Sequence, residues 1–161
     1  METAAFTDAT EKYQDMVYRI ALSHLGNFQD AEDAVQEVFV KLFRQKEPPE
    51  GDPLRYWLIR VTVNHCRDVL RSPWRKRRVP MTEVAAEKAE SVFDREEQRE
   101  LFRAVMALPE KYRTVLYLFY YEELSVWETA DLLKISPSAV TTRLTRARAK
   151  LKERLEVWQD E

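Results

Sequence analysis

The chain has 161 residues, 45% hydrophobic and 34% charged, so it can bury the core of one ordinary domain or of two small ones. Its 26 Lys and Arg against 28 Asp and Glu give a net charge of −2, which excludes an overall basic chain of the kind that binds nucleic acid non-specifically. The chain has only two glycines, which disfavours a β-rich fold with many positive-φ turns. It has one cysteine, which excludes an internal disulfide. The longest apolar runs, such as residues 115–121, are far shorter than the ~20 residues that cross a bilayer, and the acidic N-terminus does not resemble a secretory signal. We therefore expect an all-α, cytoplasmic protein.

The charges are segregated along the chain although they nearly cancel overall. Residues 55–78 contain eight basic residues and one acid, and residues 136–155 contain six basic residues and one acid. Between them, residues 82–100 contain seven acids and three basic residues. Two basic segments that flank an acidic, weakly periodic one are typical of two modules on a flexible linker. We expect a helical domain over 1–78, a linker over 79–94 and a second helical domain over 95–161.

Apolar residues at helical spacing predict the first two helices. A stripe between residues 13 and 21 predicts a helix that ends near Gly26, since glycine is common after a helix. Asn27, with Asp30 three residues later, indicates the N-cap of a second helix. Its apolar positions recur at steps of three and four up to Leu42, so one face of this helix is expected to be buried.

A third helix is predicted after a segment rich in proline. We expect Asp52 to be its N-cap, Pro53 its first residue and Arg71 its end. Helical periodicity resumes near residue 94, with one apolar stripe over 101–108 and, after a proline restarts the helix, another over 115–119.

The C-terminal segment predicts two capped helices in immediate succession. Ser125 followed by Glu128 is a capping box, so a short helix begins there and ends near Lys134. Ser136 and Pro137 then cap and start another helix at once. Two helices joined by a turn of about three residues are the outline of a helix-turn-helix.

The last of these helices is expected to have a buried side and a side suited to DNA. Five apolar residues should pack inward: Val140, Leu144, Ala147, Leu151 and Leu155. The opposite face carries Ser138, Thr142, Thr145, Arg146 and Ala149, with Arg143 and Arg148 on its flanks. Short hydroxyl side chains allow close approach to a major groove, where Arg146 can reach a base edge and the flanking cations can hold phosphates. The alternative is a solvated basic face without a ligand.

Three stretches of the chain resemble conserved regions of bacterial RNA polymerase sigma factors. Residues 30–43 (DAEDAVQEVFVKLF) resemble the part of region two that docks on the polymerase clamp, and residues 56–71 (YWLIRVTVNHCRDVLR) the part that recognises and opens the −10 element. Residues 108–151 resemble region four. Their order and short layout are similar to the extracytoplasmic-function, or group four, sigma factors. The resemblance implies promoter-specific transcription initiation, with core RNA polymerase (its clamp and flap regions), promoter DNA and an anti-sigma factor as partners.

The resemblance assigns polymerase binding to the second helix. Asp33, Gln36 and Glu37 share its polar face, and the resemblance implies that they meet the clamp. The same three residues would also suit an ordinary solvated helix face.

The resemblance assigns −10 recognition and melting to the third helix and the basic residues after it. These contacts would come from Tyr56, Trp57, Arg60, Asn64, Arg67, Arg71, Arg75, Lys76, Arg77 and Arg78. Aromatic and basic side chains together suit an opened strand, because unpaired bases can stack while cations hold the backbone. Asn64 falls where the family captures a flipped base. Trp57 also fits an apolar stripe with Leu54 and Leu58, so both core burial and base stacking stay open for it.

The resemblance assigns −35 recognition to the final helix. The implied contacts are Ser138, Thr141, Thr142, Arg143, Thr145, Arg146 and Arg148. Two departures from the family pattern stand out: Leu124 occupies a position where glycine is common, and Thr141 one where a basic residue is frequent.

Other classes of function fit the sequence less well. Neighbouring residues on a helix point about 100° apart, so His65 and Cys66 cannot form a nucleophile and base pair, and no cysteine and histidine spacing suits zinc. We predict no enzyme activity, no catalytic or metal site, no cofactor and no small-molecule substrate. A helix-turn-helix regulator that works without polymerase would account for residues 125–155 but not for the second and third helices. If the chain only bound other proteins, its basic helices would show no specific binding to DNA.

Overall fold

A computed structural model describes residues 1–73 and 95–159 of the chain, with side chains up to residue 155. Within these ranges the regular structure is helical and no strand occurs, which confirms the all-α prediction. The chain divides into two compact units, Met1–Thr82 and Glu83–Glu161. The four basic residues expected to follow the third helix, Arg75, Lys76, Arg77 and Arg78, lie outside the described residues.

The N-terminal unit contains three helices: α1 (Thr3–Leu25), α2 (Phe28–Phe43) and α3 (Asp52–Arg71). Gly26 ends α1 with a left-handed φ of 68°, and its N–H donates to the Leu22 carbonyl over 2.8 Å. The Asn27 Oδ1 accepts from the Asp30 N–H at 2.9 Å, which confirms the N-cap of α2. These local interactions place α1 and α2 in close succession.

The three helices of this unit bury their apolar stripes against one another. Residues with no accessible surface include Val17 and Ala21 of α1, Val38 of α2 and Leu58 and Val63 of α3. Because each helix presents a single apolar face, the opposite faces of α2 and α3 lie in solvent, where a ligand can reach them.

The start of α3 differs by one residue from the prediction. Asp52 is the first helical residue, and the cap is Gly51, whose φ of 65° is in the left-handed region. No side chain accepts a hydrogen bond at this cap. The positive φ explains the difference, since glycine adopts it without a clash and aspartate does so at a cost.

The C-terminal unit contains α4 (Glu96–Met106), α5 (Glu110–Leu116), α6 (Val126–Leu133) and α7 (Pro137–Gln159). The capping box of α6 is complete: the Ser125 Oγ accepts from the Glu128 N–H at 3.0 Å, and the Glu128 Oε1 accepts from the Ser125 N–H at 2.9 Å. The Ser136 Oγ accepts from the Ala139 N–H at 3.0 Å at the start of α7. The helix-turn-helix predicted from these caps is therefore confirmed.

A π-helical segment, Tyr117–Tyr121, continues α5 and was not predicted. The Glu122 N–H donates to the Tyr117 carbonyl over 3.2 Å, five residues back instead of four. The Tyr117 hydroxyl donates to the Glu122 Oε2 at 3.1 Å, and the Tyr117 and Tyr121 rings stack with centroids 5.0 Å apart. These contacts widen the helix just before the chain turns into α6.

The residue before α6 with a backbone conformation that favours glycine is Glu123, one position before Leu124, where the resemblance implied a glycine. Glu123 has a φ of 59°, whereas Leu124 is a core residue that is 4% exposed. The backbone therefore adopts the left-handed turn one residue earlier than expected, and a non-glycine residue occupies it. The Leu124 side chain contributes burial that a glycine there would lack.

The core of the C-terminal unit joins α5, α6 and α7. Val115, Ala130 and Leu144 are buried in one cluster with Val140 and Ala147. This confirms the inward side predicted for α7, and Leu151 packs on the edge of the cluster. Among the described residues, no helix is long and apolar enough to cross a membrane.

Candidate polymerase and nucleic-acid interfaces

The solvent face of α2 brings together the three residues expected to bind polymerase. Asp33, Gln36 and Glu37 are all exposed, at positions i, i+3 and i+4 of the helix. Val40 lies on the same face one turn further and is 41% exposed. Val40 was not among the predicted contact residues, although its spacing of seven residues from Asp33 places it on this face. The result is a polar, net acidic surface with an apolar side chain at its C-terminal end.

His65 of α3 borders this surface. Partial burial lowers the pKa of His65, and the Lys41 charge lowers it further, while Glu37, Asp68 and Asp33 oppose the shift. Two of these carboxylates, Glu37 and Asp33, belong to the α2 surface, so His65 lies close enough for their charges to affect its pKa. No sequence pattern indicates this proximity, because it comes from the packing of α2 against α3.

The solvent side of α3 carries a stripe of basic and polar residues. Its members are Tyr56, Arg60, Asn64, Arg67 and Arg71, spaced by three and four residues. Arg60, Asn64 and Arg71 are exposed, whereas Tyr56 and Arg67 are partly buried. The Arg60 guanidinium lies over the Tyr56 ring at 5.4 Å from its centroid. An aromatic ring and cations therefore share one accessible surface.

Trp57 lies at the edge of the stripe and is partly buried. Leu54 and Leu58, with which it was expected to form an apolar stripe, are both in the core. Trp57 is thus neither a core residue nor a fully exposed one.

The solvent side of α7 carries the seven residues expected to contact DNA, with Arg143 and Arg148 on its flanks. Exposed side chains there are Ser138, Thr141, Thr142, Thr145, Arg146 and Arg148, and Arg143 is partly buried. The Thr141 and Thr145 hydroxyls donate to the carbonyls of Pro137 and Thr141, at 3.1 and 3.0 Å. Each hydroxyl oxygen can still accept a hydrogen bond, so the face offers acceptors, donors and cations over three turns.

Arg148 is held by contacts within its own unit. Its Nε donates to the Tyr120 hydroxyl, and its guanidinium lies 5.2 Å from the Tyr120 ring centroid and 6.0 Å from that of Phe119. Aromatic rings stabilise a guanidinium in this position by cation–π attraction. The π-helical segment therefore already engages Arg148, one of the arginines assigned to DNA.

Two family models match the chain, one in each unit. Residues 10–76 match Sigma-70 region 2, and residues 98–151 match Sigma-70, region 4. The first match includes the exposed faces of α2 and α3, and the second includes the helix-turn-helix. A regulator that works without polymerase would leave the first match unexplained.

Named relatives extend the similarity over nearly the whole chain. The ECF RNA polymerase sigma factor SigW of Bacillus subtilis is 30% identical over an alignment of 166 residues, gaps included. The alignment covers 94% of this chain and 89% of that protein. The RNA polymerase sigma factor SigV of the same organism is 31% identical over 142 residues, covering 88% and 84%.

Two solved structures share the fold. The sigma factor RpoE, solved in complex with the anti-sigma factor NepR from Bartonella quintana, has a TM-score of 0.68 at 20% identity and covers 95% of this chain and 98% of its own. CnrH, solved in complex with the cytosolic domain of CnrY, has a TM-score of 0.60 at 26% identity and covers 97% and 90%. With both regions present in order and full-length relatives at this identity, the chain belongs to the extracytoplasmic-function family of RNA polymerase sigma factors, which direct promoter-specific transcription initiation.

Proposed function

We propose that the two units divide promoter recognition between them. Residues 1–78 bind core polymerase and recognise and open the −10 element, residues 79–94 serve as a linker, and residues 95–161 recognise the −35 element. The separate matches to region 2 and region 4 support this division, as does the segregation of basic residues into two segments. The protein acts as a transcription factor without enzymatic activity, in the cytoplasm where core polymerase is found.

The α2 surface is the proposed contact with polymerase. The proposal rests on the exposure of its polar and apolar residues on one face of the helix. Asp33 and Glu37 supply charge, Gln36 can both donate and accept, and Val40 supplies an apolar contact at one end of the row. Protein interfaces combine apolar contacts with polar and charged ones in this way. Complementary basic groups on the polymerase would fix the orientation of docking and accelerate association.

Binding to core polymerase in the absence of DNA tests this contact. The Asp33→Ala, Gln36→Ala, Glu37→Ala variant should bind purified bacterial core polymerase at least about 100-fold more weakly, since lost hydrogen bonds to charged groups cost ~1.5–3 kcal/mol each. The chain offers a matched control on α1, because Glu11, Gln14 and Asp15 have the same composition and spacing and are also exposed.

The control variant, with those three α1 residues replaced by alanine, should retain the native affinity within about two-fold, as a non-contacting surface would. Equal loss of affinity in both variants would mean that net charge, not the α2 surface, governs binding. No loss in either variant would remove α2 from the interface.

The α3 stripe is the proposed contact with the −10 element. Tyr56 and Trp57 offer partly accessible rings for stacking, Asn64 offers an amide for hydrogen bonds to a flipped base, and Arg60, Arg67 and Arg71 hold phosphates. This group combines the two properties that single strands require, ring faces and cations along one track. We propose that the basic residues 75–78, which lie outside the described residues, add further phosphate contacts.

The solvent face of α7 is the proposed reader of the −35 element. Its first turns carry Ser138, Thr142 and Thr145, which are short enough for the helix to lie close to base edges. Arg146 can form a bidentate contact with guanine, while Arg143 and Arg148 lie on the flanks nearer to phosphates. Thr141 has a hydroxyl group where the family often has a basic side chain. We therefore expect this protein to prefer a −35 sequence that differs from those of its relatives.

An anti-sigma factor is the proposed restraint on this protein. The support is that RpoE and CnrH, whose folds this chain shares, were solved with NepR and with the cytosolic domain of CnrY. Deleting the gene for the cognate inhibitor should raise transcription from the target promoters, and unchanged transcription would contradict the proposal.

A further inference from the structure

Tyr120 is an exposed aromatic residue that has no role in the contacts proposed above. It belongs to the π-helical segment and is 51% exposed. Its ring packs against the Phe119 ring with the centroids 5.0 Å apart and the planes at 83°, so the segment holds it in place. Its hydroxyl and its ring both contact Arg148 of α7, one of the arginines assigned to DNA.

Arg148 lies on one edge of the solvent side of α7. Thr141, Thr145 and Arg148 follow one another at positions i, i+4 and i+7, which span nearly two helical turns, so their side chains form one exposed row. Of these three side chains Arg148 alone is charged. A DNA phosphate beside this row would therefore depend on Arg148 for a charged contact.

The contact with Tyr120 restricts how the Arg148 guanidinium can bind an anion. The Arg148 Nε donates to the Tyr120 hydroxyl, and the guanidinium lies 5.2 Å from the centroid of that ring. With Nε engaged, the two Nη groups at the end of the side chain can donate parallel hydrogen bonds to one phosphate. The Tyr120 and Phe119 rings beside the guanidinium are uncharged, so they hold it without neutralising its positive charge.

Holding the guanidinium before DNA arrives makes its contact with a phosphate more favourable. A free arginine side chain has many rotamers, and fixing it on a ligand costs conformational entropy. A contact that already restricts the side chain lowers this cost. We infer that Tyr120 is a positioning residue for DNA, which directs the Arg148 Nη groups to a backbone phosphate beside the row that Thr141 and Thr145 begin. The inference rests on the proposed −35 contact of α7 and adds the π-helical segment to it.

A double-mutant cycle on the full-length chain separates positioning from a purely structural role. The probe is a short DNA duplex from the −35 region of a promoter fragment that the native chain selects in transcription, and fluorescence anisotropy measures its affinity. Tyr120→Leu should weaken binding about five-fold in the native chain but less than about two-fold in the Arg148→Ala background. Tyr120→Phe keeps a ring beside the guanidinium and should recover part of the loss.

The salt dependence of binding is a second readout, which a change in folding stability alone would not move. Each phosphate contact contributes about 0.9 to the slope of log affinity against log salt concentration, so Arg148→Ala should reduce the slope by about 0.9. Tyr120→Leu should reduce the slope in the same direction, with no further decrease in the double variant. Arg103→Ala is the matched control, because it removes an exposed arginine of the same unit that pairs with Glu96 at 3.5 Å. Its affinity and slope should equal those of the native chain.

Two results would overturn the inference. One is an equal loss of affinity on Tyr120→Leu with and without Arg148, since Tyr120 would then act independently of that arginine. The other is native affinity in Tyr120→Leu. Arg146→Ala, measured in parallel, tests the −35 proposal itself, which fails if neither affinity nor sequence preference changes. The coupling between Tyr120 and Arg148 is obtained from the cycle alone, so the two failures are distinguishable.

Discussion

Replacing Glu123 by glycine should stabilise the C-terminal unit. Glu123 has a φ of 59°, and an L-residue pays roughly 1–2 kcal/mol for the left-handed region. Glycine removes this cost but loses about 0.4–1 kcal/mol through the greater freedom of the unfolded chain. The midpoints, about 1.5 and about 0.7 kcal/mol, leave a net gain of about 0.8 kcal/mol. This gain should raise the melting temperature of the unit by about 3–6 °C.

Two further variants at the same turn separate backbone strain from the lost carboxylate. Glu123→Ala removes the charge but keeps the Cβ atom, so its stability should match that of the native chain. Leu124→Gly, which places glycine where the sequence comparison expected it, removes a 4% exposed core side chain and should cost at least about 2 kcal/mol.

Hydrogen exchange of the α6 and α7 amides measures the stability of this unit without contributions from the other one. Glu123→Gly should slow the exchange of the most protected amides, and Leu124→Gly should accelerate it. Equal exchange in Glu123→Gly and Glu123→Ala would refute the reasoning from φ.

The remaining predictions concern the two DNA-binding surfaces and the His65 environment. Arg146→Ala should relax the −35 sequence preference by roughly 1–3 kcal/mol in competition binding, whereas the exposed Lys150→Ala should weaken all duplexes alike or not at all. Asn64→Ala should leave binding to core polymerase unchanged but reduce promoter opening, measured by permanganate reactivity of unpaired thymines; unchanged opening would remove Asn64 from the −10 contact. His65 has a folded pKa below 6.5, so the unfolded chain takes up the proton first and stability falls as the pH drops through about 6.5. In urea titrations at pH 7.5 and 5.5, His65→Gln should lose less stability than the native chain, and an equal loss would assign the pH dependence elsewhere.

Features that depend on neighbours in sequence could be predicted from the sequence. The Asn27 cap, the Ser125–Glu128 capping box and the Ser136 start of α7 all involve a side chain and an N–H three residues apart. The buried side of α7 followed from helical spacing alone, since Val140, Leu144 and Ala147 lie on one side of any regular helix. The exposed side, which carries the candidate DNA contacts, was fixed by the same geometry.

Features that depend on packing could not be predicted. The sequence of residues Tyr117–Tyr121 predicts ordinary α-helix, but the segment is π-helical. Its wider turn occurs together with the stacking of the Tyr117 and Tyr121 rings and the Tyr117–Glu122 hydrogen bond. The position of Arg148 over Tyr120 joins residues 28 apart in sequence.

The turn before α6 shows a third kind of limit. Residues 123 and 124 differ in role because one has a positive φ and the other is buried, yet the sequence at this point contains no glycine to mark the turn. A family pattern indicates that such a turn exists, but only backbone angles show which residue adopts it.

Run-off transcription with purified bacterial core polymerase tests the central claim most directly. The native chain, the Asp33→Ala, Gln36→Ala, Glu37→Ala variant and the matched α1 control variant are compared on a library of promoter fragments. We predict that initiation at a specific subset of fragments requires the native chain, persists with the control variant and is lost with the α2 variant. Initiation that the α2 variant supports as well as the native chain would contradict the proposed polymerase contact, and no initiation with the native chain would contradict the assignment as a sigma factor.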